Sequence, residues 1–103
     1  MSFIKTIFSN EFAFIIDYRY NIEIRAYKIN KYSNSLGLFI VKLIFTRIDN
    51  QFILNPVDID EIDDYLANHD YPLLVFQDVL KDLKRENIVD DNRLTGKFLL
   101  ELL

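Results

Sequence analysis

The sequence of 103 residues contains no cysteine and no tryptophan, and only two glycines, two prolines and one histidine. The absence of cysteine excludes disulfides and thiolate metal sites, and it fits a protein of the cytoplasm. Gly37 and Gly96 lie far apart, which excludes a glycine-rich loop that cradles phosphate. His69 has no second histidine or cysteine to work with, so we expect no zinc site, no cofactor and no enzyme activity.

The chain also lacks a long hydrophobic run. The longest apolar stretch, Leu36 to Phe45, is interrupted by Lys42 and is too short to cross a bilayer. Met1 to Asn10 does not have the pattern of a signal peptide. Half of the residues are nevertheless hydrophobic, and the net charge is only -4. These numbers predict one folded domain over residues 1–103, located in the cytoplasm.

Charge is distributed unevenly along the chain. Residues 1–55 hold seven Lys or Arg and four Asp or Glu, whereas residues 56–103 hold five and twelve, for a net charge of -7 in the second part. An acidic protein is poorly suited to hold DNA mainly by neutralising phosphates. The same charge suits a protein that binds a basic partner.

Residues 12–26 alternate between apolar and polar side chains with a period of two, which predicts half-buried β-structure. A two-residue hairpin loop at Tyr20-Asn21 would divide the apolar set between two faces. One unbroken strand, or a hairpin with a three-residue loop, keeps the set on one face, and these are the alternatives we expect. The apolar set is Phe12, Phe14, Ile16, Tyr18, Tyr20, Ile22, Ile24 and Ala26.

The segment Leu36 to Ile48 allows two interpretations. Its β-branched residues favour a strand. Its length, with Ser33 or Ser35 as an N-cap, favours a helix that is buried on most sides. The residues after this segment are predicted to form a turn, from Asp49 to Gln51, and then a short strand, from Phe52 to Leu54.

The remainder of the chain has the spacing of two helices that lead into a β-ribbon. Apolar residues recur at helical intervals over 59–68 and 72–86, and Asn87 is a suitable stop for the second helix. The ribbon is predicted as a strand at Ile88-Val89, a turn from Asp90 to Gly96, and a return strand from Lys97 to Leu102.

Together, the pattern from Ser33 to Leu100 resembles the winged-helix (winged helix-turn-helix) domains of phage and plasmid replication initiators. In this resemblance Gly37 to Phe45 forms the core helix, residues 72–86 the recognition helix, and Asn92 to Phe98 the wing. It implies an α+β fold with three helices and a wing hairpin in residues 33–103. An N-terminal β-strand or hairpin in residues 1–30 would pack on this winged-helix-like core.

The resemblance further implies a non-enzymatic accessory protein for DNA replication of a mobile genetic element, which binds nucleic acid or links a replication enzyme to it. Amide contacts to bases would come from Gln77 and Asn92. This DNA-binding hypothesis requires two consecutive helices that pass into a β-ribbon after Asn87. The alternative is ordinary surface charge, because this half of the chain is net negative. The basic residues of the implied patch are Lys81, Lys84, Arg85, Arg93 and Lys97.

Protein binding is the hypothesis from a different class. An acidic domain of this size suits an inhibitor or immunity-type protein that neutralises a basic nuclease or defence enzyme. An exposed strand or aromatic face would instead indicate a homodimer. The two tyrosines among the candidates have core packing as their alternative role, since they share the apolar set of residues 12–26. The candidate partner-binding residues are Tyr18, Tyr20, Asp60, Asp63 and Asp64.

Overall fold

The computed structural model describes residues 3–30, 35–55 and 73–102. Within these residues the chain forms seven strands and two helices, and all seven strands join one antiparallel sheet in the order β1-β2-β3-β4-β5-β7-β6. The sheet curls into a half-barrel. The elements are β1 (Ile4–Phe8), β2 (Phe12–Asp17), β3 (Ile22–Asn30), β4 (Ser35–Ile48), β5 (Gln51–Leu54), α1 (Leu73–Arg85), β6 (Val89–Asp90), β7 (Arg93–Leu94) and α2 (Gly96–Leu102).

The winged-helix prediction is wrong. The described residues form a mostly β fold with two helices, not three helices and a wing, so the helix-turn-helix interpretation falls with it. The largest error is the predicted core helix, since Ser35–Ile48 is a single long strand. It pairs with β3 on one side and β5 on the other, so the sheet satisfies its backbone groups. The β-branched content of this segment was therefore the correct signal.

The predicted wing is also wrong. The hairpin is shorter than expected, with Asp90 paired to Arg93 across the loop residues Asp91 and Asn92. The predicted return strand over Lys97 to Leu102 is instead helix α2. Thr95 is its N-cap, because its Oγ1 accepts the Phe98 N–H at 3.1 Å and donates to the Asn87 carbonyl at 2.5 Å. The cap gives a hydrogen-bond acceptor to an N–H group at the start of the helix, a need that a strand at this position would not have.

Helix α1 and its stop confirm the prediction made for residues 72–86. Asn87 has a φ of 58°, in the left-handed region that ends many helices. The Ile88 N–H donates to the Leu83 carbonyl at 2.9 Å, and the Asn87 N–H donates to the Lys84 carbonyl at 3.0 Å. These two bonds form a Schellman motif, which turns the chain directly into β6. The other predicted helix, residues 59–68, lies outside the described residues.

The alternating segment forms two strands, so the alternative of one unbroken strand is wrong. Asp17 pairs with Glu23, and an odd number of residues lies between them. Odd positions therefore face odd positions and even face even, and the apolar set stays on one face, as predicted for the hairpin. Five residues lie between Asp17 and Glu23, so the predicted three-residue loop is too short. Tyr20 is the exception, since it lies in the loop and is 92% exposed. The buried members are Phe12, Phe14, Ile16, Ile22, Ile24 and Ala26.

Strand β4 departs from regular pairing where it meets the end of β3. Two register shifts put extra residues on β4 between the partners of Ala26 and Ile29, and this irregularity lets the neighbours Ile40 and Val41 both be buried. A side chain at Gly37 would collide with the Lys28 carbonyl, so the close approach of the two strands requires glycine. At its other end, β4 turns into β5 through Asp49 and Asn50.

That turn confirms the sequence prediction. Asp49 and Asn50 have φ angles of 51° and 66°, and Ile48 pairs with Gln51 across them. Positive φ at both central residues defines a type I′ turn, which matches the twist of a hairpin. The predicted short strand that follows is β5.

Both helices pack on the same face of the sheet, which we call the inner face. Phe76, Val79 and Leu83 of α1 and Phe98 of α2 belong to the same buried cluster as the apolar residues of β2, β3 and β4. The sheet thus has a covered inner face and an opposite, outer face. No helix in the described residues is long and apolar enough to cross a membrane.

Candidate functional site

The candidate site is the outer face of the sheet, opposite both helices. Residues directly across from one another in an antiparallel sheet point to the same side, so the registers identify this face from β1 to β7. Ile15, Ile44 and Ile53 on this face are half-buried. Its arginine and lysine side chains are exposed, whereas the carboxylates of Asp17 and Glu23 are half-buried. The outer face includes Thr6, Phe8, Ile15, Asp17, Glu23, Arg25, Lys42, Ile44, Thr46, Ile53 and Arg93.

A charge cluster lies at the centre of the outer face. Arg25 and Lys42 are direct cross-strand neighbours, an arrangement of like charges that disfavours pairing of the two strands. Glu23 compensates for it, because its two carboxylate oxygens lie 3.6 Å from Arg25 Nη2 and 3.6 Å from Lys42 Nζ. The arginine and lysine side chains remain 45% exposed. They can therefore contact a ligand on this face while Glu23 holds them in place.

A second charged pair stands at the end of β2. Arg19 Nη2 donates to Asp17 Oδ2 at 3.0 Å, and the Arg19 backbone N–H donates to Asp17 Oδ1 at 3.2 Å. These hydrogen bonds, first the side-chain one and then the backbone one, hold the pKa of the Asp17 carboxyl below its usual range. The same partnership raises the pKa of Arg19. Asp17 is therefore a stable negative charge next to Glu23, its neighbour across the strand.

One polar network joins α1 to the turn between β1 and β2. Asp82 is buried, and its carboxylate accepts a hydrogen bond from Ser9 Oγ at 2.5 Å and another from Arg85 Nη1 at 2.9 Å. Ser9 Oγ also accepts the Phe12 N–H at 3.0 Å. Both carboxylate oxygens are satisfied, so the network anchors the helix. The shallow depression around it is lined by Asn10, Glu11, Asp78, Lys81, Asp82 and Arg85.

The structure does not assemble the basic residues of the sequence analysis into one patch. Lys81 and Arg85 line the depression together with three carboxylates. Arg93 lies on the outer face, opposite the face that α1 covers, and its Nη1 donates to Gln51 Oε1 at 3.3 Å. The two groups are separated because each strand of the hairpin has only two residues and no wing reaches α1. The remaining members are exposed on α1, in the β6–β7 loop and on α2, at Gln77, Lys84, Asn92 and Lys97.

The candidate partner-binding residues have separate positions. Tyr18 packs edge-on against Phe3, with 5.8 Å between ring centroids, and lies against the core. Core packing was the alternative role considered for this residue. Tyr20 is almost fully exposed and makes no core contact. The acidic candidates Asp60, Asp63 and Asp64 lie outside the described residues.

Sequence reasoning did not identify the charge cluster or the helix anchor. Glu23 and Arg25 were visible as odd-numbered polar positions, but Lys42 could not join them while its segment was interpreted as a helix. The contact of Ser9 with Asp82 spans 73 positions and has no local signal. Thr95 as an N-cap was a usable signal for α2. In the residues that the structure describes, no cluster of three His, Cys, Asp or Glu side chains is arranged to hold a metal ion.

Comparison of the chain with protein families, with curated proteins and with solved structures finds no match. The function is therefore inferred from the side chains of the outer face. They combine half-buried aliphatic residues with exposed charges that are held in fixed geometry by ion pairs. Such a mixture is typical of surfaces that bind other proteins.

Proposed function

We propose that this chain is a non-catalytic protein-binding module of the inhibitor or immunity type, which holds a protein partner on the outer face of its sheet. One observation carries the proposal. Both helices pack on the inner face, which leaves Ile15, Ile44 and Ile53 beside exposed arginine and lysine side chains on the outer face. Apolar area provides affinity at a protein interface, and placed charges provide specificity.

The charges on the outer face favour a protein over a nucleic acid. A phosphate approaching Arg25 or Lys42 would also meet the carboxylates of Glu23 and Asp17. A protein partner can offer groups of both signs to such a surface. The DNA-binding hypothesis required a β-ribbon whose return strand runs from Lys97 to Leu102, and that segment is helix α2.

The net charge of the chain favours a basic partner. The described residues are nearly balanced, with eleven Lys or Arg and ten Asp or Glu. Residues 56–72 contain six Asp or Glu and no Lys or Arg, so the excess of negative charge resides there. Long-range attraction by such a segment speeds association with a basic protein. A basic nuclease or defence enzyme fits this description, and the cysteine-free composition fits the cytoplasm as the site of action.

Paired variants test the docking surface. Ile44→Lys places a charge on the outer face, and Leu100→Lys is its matched control on α2, where Leu100 is 71% exposed. Each variant and the wild-type chain are immobilised and incubated with an extract of the cells whose genome encodes the chain. The captured proteins are quantified by mass spectrometry. The expected partner binds wild type and Leu100→Lys equally and Ile44→Lys at least about tenfold more weakly, about 1.4 kcal/mol. If no protein discriminates between the two variants in this way, the outer face is not the docking surface.

A second pair tests the charge of the partner. Asp60, Asp63 and Asp64, the residues proposed to attract the partner, are changed together to Lys. The control changes Asp78, Glu86 and Glu101 to Lys, because each is exposed and forms no ion pair within the described residues. Both triple variants change the net charge equally. We expect slower association only for the first, with a difference that shrinks as salt rises. Equal rates for both would contradict a role for residues 56–72 in recognition.

A further inference from the structure

Six side chains at the centre of the outer face form two rows that run across β2, β3 and β4. Each row has one residue from each strand, because directly paired residues point to the same side of an antiparallel sheet. Pairing is regular here, since both shifts in the β3–β4 register come after Ala26. One row has two cations and the other has two carboxylates, and we call them the basic row and the acidic row. The basic row is Ile15, Arg25 and Lys42, and the acidic row is Asp17, Glu23 and Ile44.

The two rows carry their charges in opposite order. The basic row has its isoleucine on β2, whereas the acidic row has its isoleucine on β4. A straight line from Ile15 to Ile44 is therefore a diagonal of the two rows, with both carboxylates on one side and both cations on the other. A half-turn about this diagonal turns the face over and sets the acidic row of one copy against the basic row of another. The pattern is thus complementary to itself.

The cations of the basic row can accept a further negative partner. Glu23 is shared between Arg25 and Lys42, and each of these ion pairs spans 3.6 Å. A charge-assisted hydrogen bond is shorter, at about 2.7–2.9 Å. Both cationic side chains also remain 45% exposed. A carboxylate from a second molecule can therefore approach them on the outer face.

We propose that two copies of this chain pack outer face against outer face, with a two-fold axis along the diagonal from Ile15 to Ile44. Each isoleucine on the axis then meets the same isoleucine of the second copy, which provides apolar contact. Strands lie about 4.8 Å apart, and successive residues on one face lie about 6.8 Å apart. With these spacings, the half-turn places Glu23 over Lys42 of the second copy.

The remaining geometry follows from the same axis. Asp17 lies over Arg25 of the second copy, so the dimer contains two kinds of opposite-charge contact, each present twice. The diagonal lies at about 55° to the strands, so the strands of the two copies cross at about 70°, near the orthogonal class of sheet packing. Twisted sheets diverge away from such a crossing, which confines the interface to β2, β3 and β4.

The dimer is transient. Its interface is smaller than those of permanent dimers, and each copy has a net charge of -4, so long-range repulsion opposes association. A protein partner that fits the outer face better can therefore replace the second copy, and until then the chain covers its own docking surface. This replacement rests on the proposed function, whereas the dimer rests only on the strand registers and the charges.

Charge reversal at one contact tests the pairing. Glu23→Lys alone puts like charges at both Glu23–Lys42 contacts of a dimer, and Lys42→Glu alone does the same. An equimolar mixture of the two variants can form a heterodimer in which both contacts join opposite charges. In sedimentation velocity from about 1 µM to about 1 mM, we expect each variant alone to dimerise at least about tenfold more weakly than wild type, and the mixture to regain the wild-type affinity. A monomeric wild type, or a mixture that dimerises no better than its components, would overturn the proposal.

Lys84→Glu and Glu86→Lys are the matched controls. They change the net charge by the same amounts at exposed positions on α1 and just after it. Within the described residues, neither side chain forms an ion pair. Each control should dimerise with the wild-type affinity. Controls that dimerise as weakly as the test variants would assign the effect to net charge rather than to the two rows.

Crosslinking tests the position of the axis. The chain has no cysteine of its own, so single cysteines can be introduced for a short bismaleimide. In Ile44→Cys the two thiols face each other across the axis, separated only by the gap between sheets whose backbones lie about 10 Å apart. In Thr46→Cys, two positions further along β4, the equivalent backbone positions are about 15 Å apart. We expect a covalent dimer from Ile44→Cys and little from Thr46→Cys. Equal crosslinking of both variants, or of neither, would contradict an axis through Ile44.

Failure of this proposal and failure of the proposed function are distinguishable. A chain that is monomeric at every concentration but loses its partner in Ile44→Lys retains the function and loses the dimer. A chain that dimerises as expected but captures no protein that discriminates between Ile44→Lys and Leu100→Lys retains the dimer and loses the function. If both hold, native mass spectrometry of the captured complex should find one copy of the chain. Two copies bound together with the partner would contradict replacement.

Discussion

The inner and outer faces of the same sheet follow different physical rules. On the inner face, Phe14, Ile24 and Leu43 are at most 1% exposed and share one cluster with both helices. On the outer face, one position along the same strands, Ile15 and Ile44 are half-buried among charged neighbours. The alternation of a β-strand thus separates two tasks. One face specifies the fold, and the other is open to selection for binding.

Among alanine substitutions, the largest difference between the faces is expected on β2. Phe14→Ala removes a fully buried ring and leaves a cavity, so it should lower the free energy of unfolding by about 3–5 kcal/mol. Ile15→Ala, one residue later, should cost about 1 kcal/mol. Urea unfolding of the two variants measures both values. Equal costs would show that β2 does not divide its side chains between a core and an open face.

Alanine substitutions at the two glycines test the irregular pairing that keeps the apolar residues of β4 on the inner face. Gly37→Ala should destabilise the protein by about 1–3 kcal/mol, because the added methyl group meets the rigid Lys28 carbonyl. Gly96→Ala is the control, since nothing lies within 4 Å of an added Cβ there. It begins α2 and should be neutral or stabilising by up to about 1 kcal/mol. Thermal unfolding of both variants provides the comparison, and a tolerated alanine at 37 would refute the close approach.

Polar groups should show the same contrast between buried and exposed settings. Ser9→Ala leaves the buried Asp82 with one partner fewer and should cost about 1–3 kcal/mol. Glu23→Gln weakens two exposed ion pairs on the outer face and should change stability by about 0.5 kcal/mol or less. Chemical denaturation resolves the two values. A larger loss for Glu23→Gln would mean that the charge cluster supports the fold rather than a contact with a partner.

The smallest expected effect is a pH dependence at the exposed end of β2. The folded pKa of Asp17 lies below its unfolded value, so the bonded carboxylate contributes stability above the unfolded pKa and loses it as pH falls through the folded pKa. Arg19→Gln removes the main cause and should return the pKa of Asp17 towards its ordinary value. Titration of the side-chain carboxyl signal by NMR, in wild type and variant, measures the shift. An unchanged titration in Arg19→Gln would assign the lowered pKa to another cause.

Local patterns predicted the elements whose signals are local. The period-two segment, helix α1 with its stop at Asn87, and the turn at Asp49-Asn50 each carry their own sequence signature. Strand β4 has no such signature, because a long apolar run rich in β-branched residues fits a buried helix as well as a strand with a neighbouring strand on each side. Its identity depends on pairing with β3 and β5. The resemblance to a winged helix decided that ambiguity in the wrong direction.

The candidate site was less predictable than the fold, because its members meet only through strand pairing. Lys42 joins Glu23 and Arg25 across the β3–β4 register, and no spacing within either segment announces that contact. Because the segment that contains Lys42 was interpreted as a helix, the charge cluster could not be predicted from the sequence. The predicted wing placed the basic residues of α1 and Arg93 on one surface, whereas the sheet lies between them.

The most direct test of the two-faced sheet uses the consecutive residues Leu43 and Ile44 of β4, each changed to Lys and unfolded with urea. Leu43 is 1% exposed, so Leu43→Lys forces a charge into the core and should leave the chain unfolded without denaturant. Ile44 lies opposite Glu23 on the outer face, so Ile44→Lys should stay folded within about 1 kcal/mol of wild type. Equal loss of stability in the two variants would contradict the division of this sheet into a core face and a binding face.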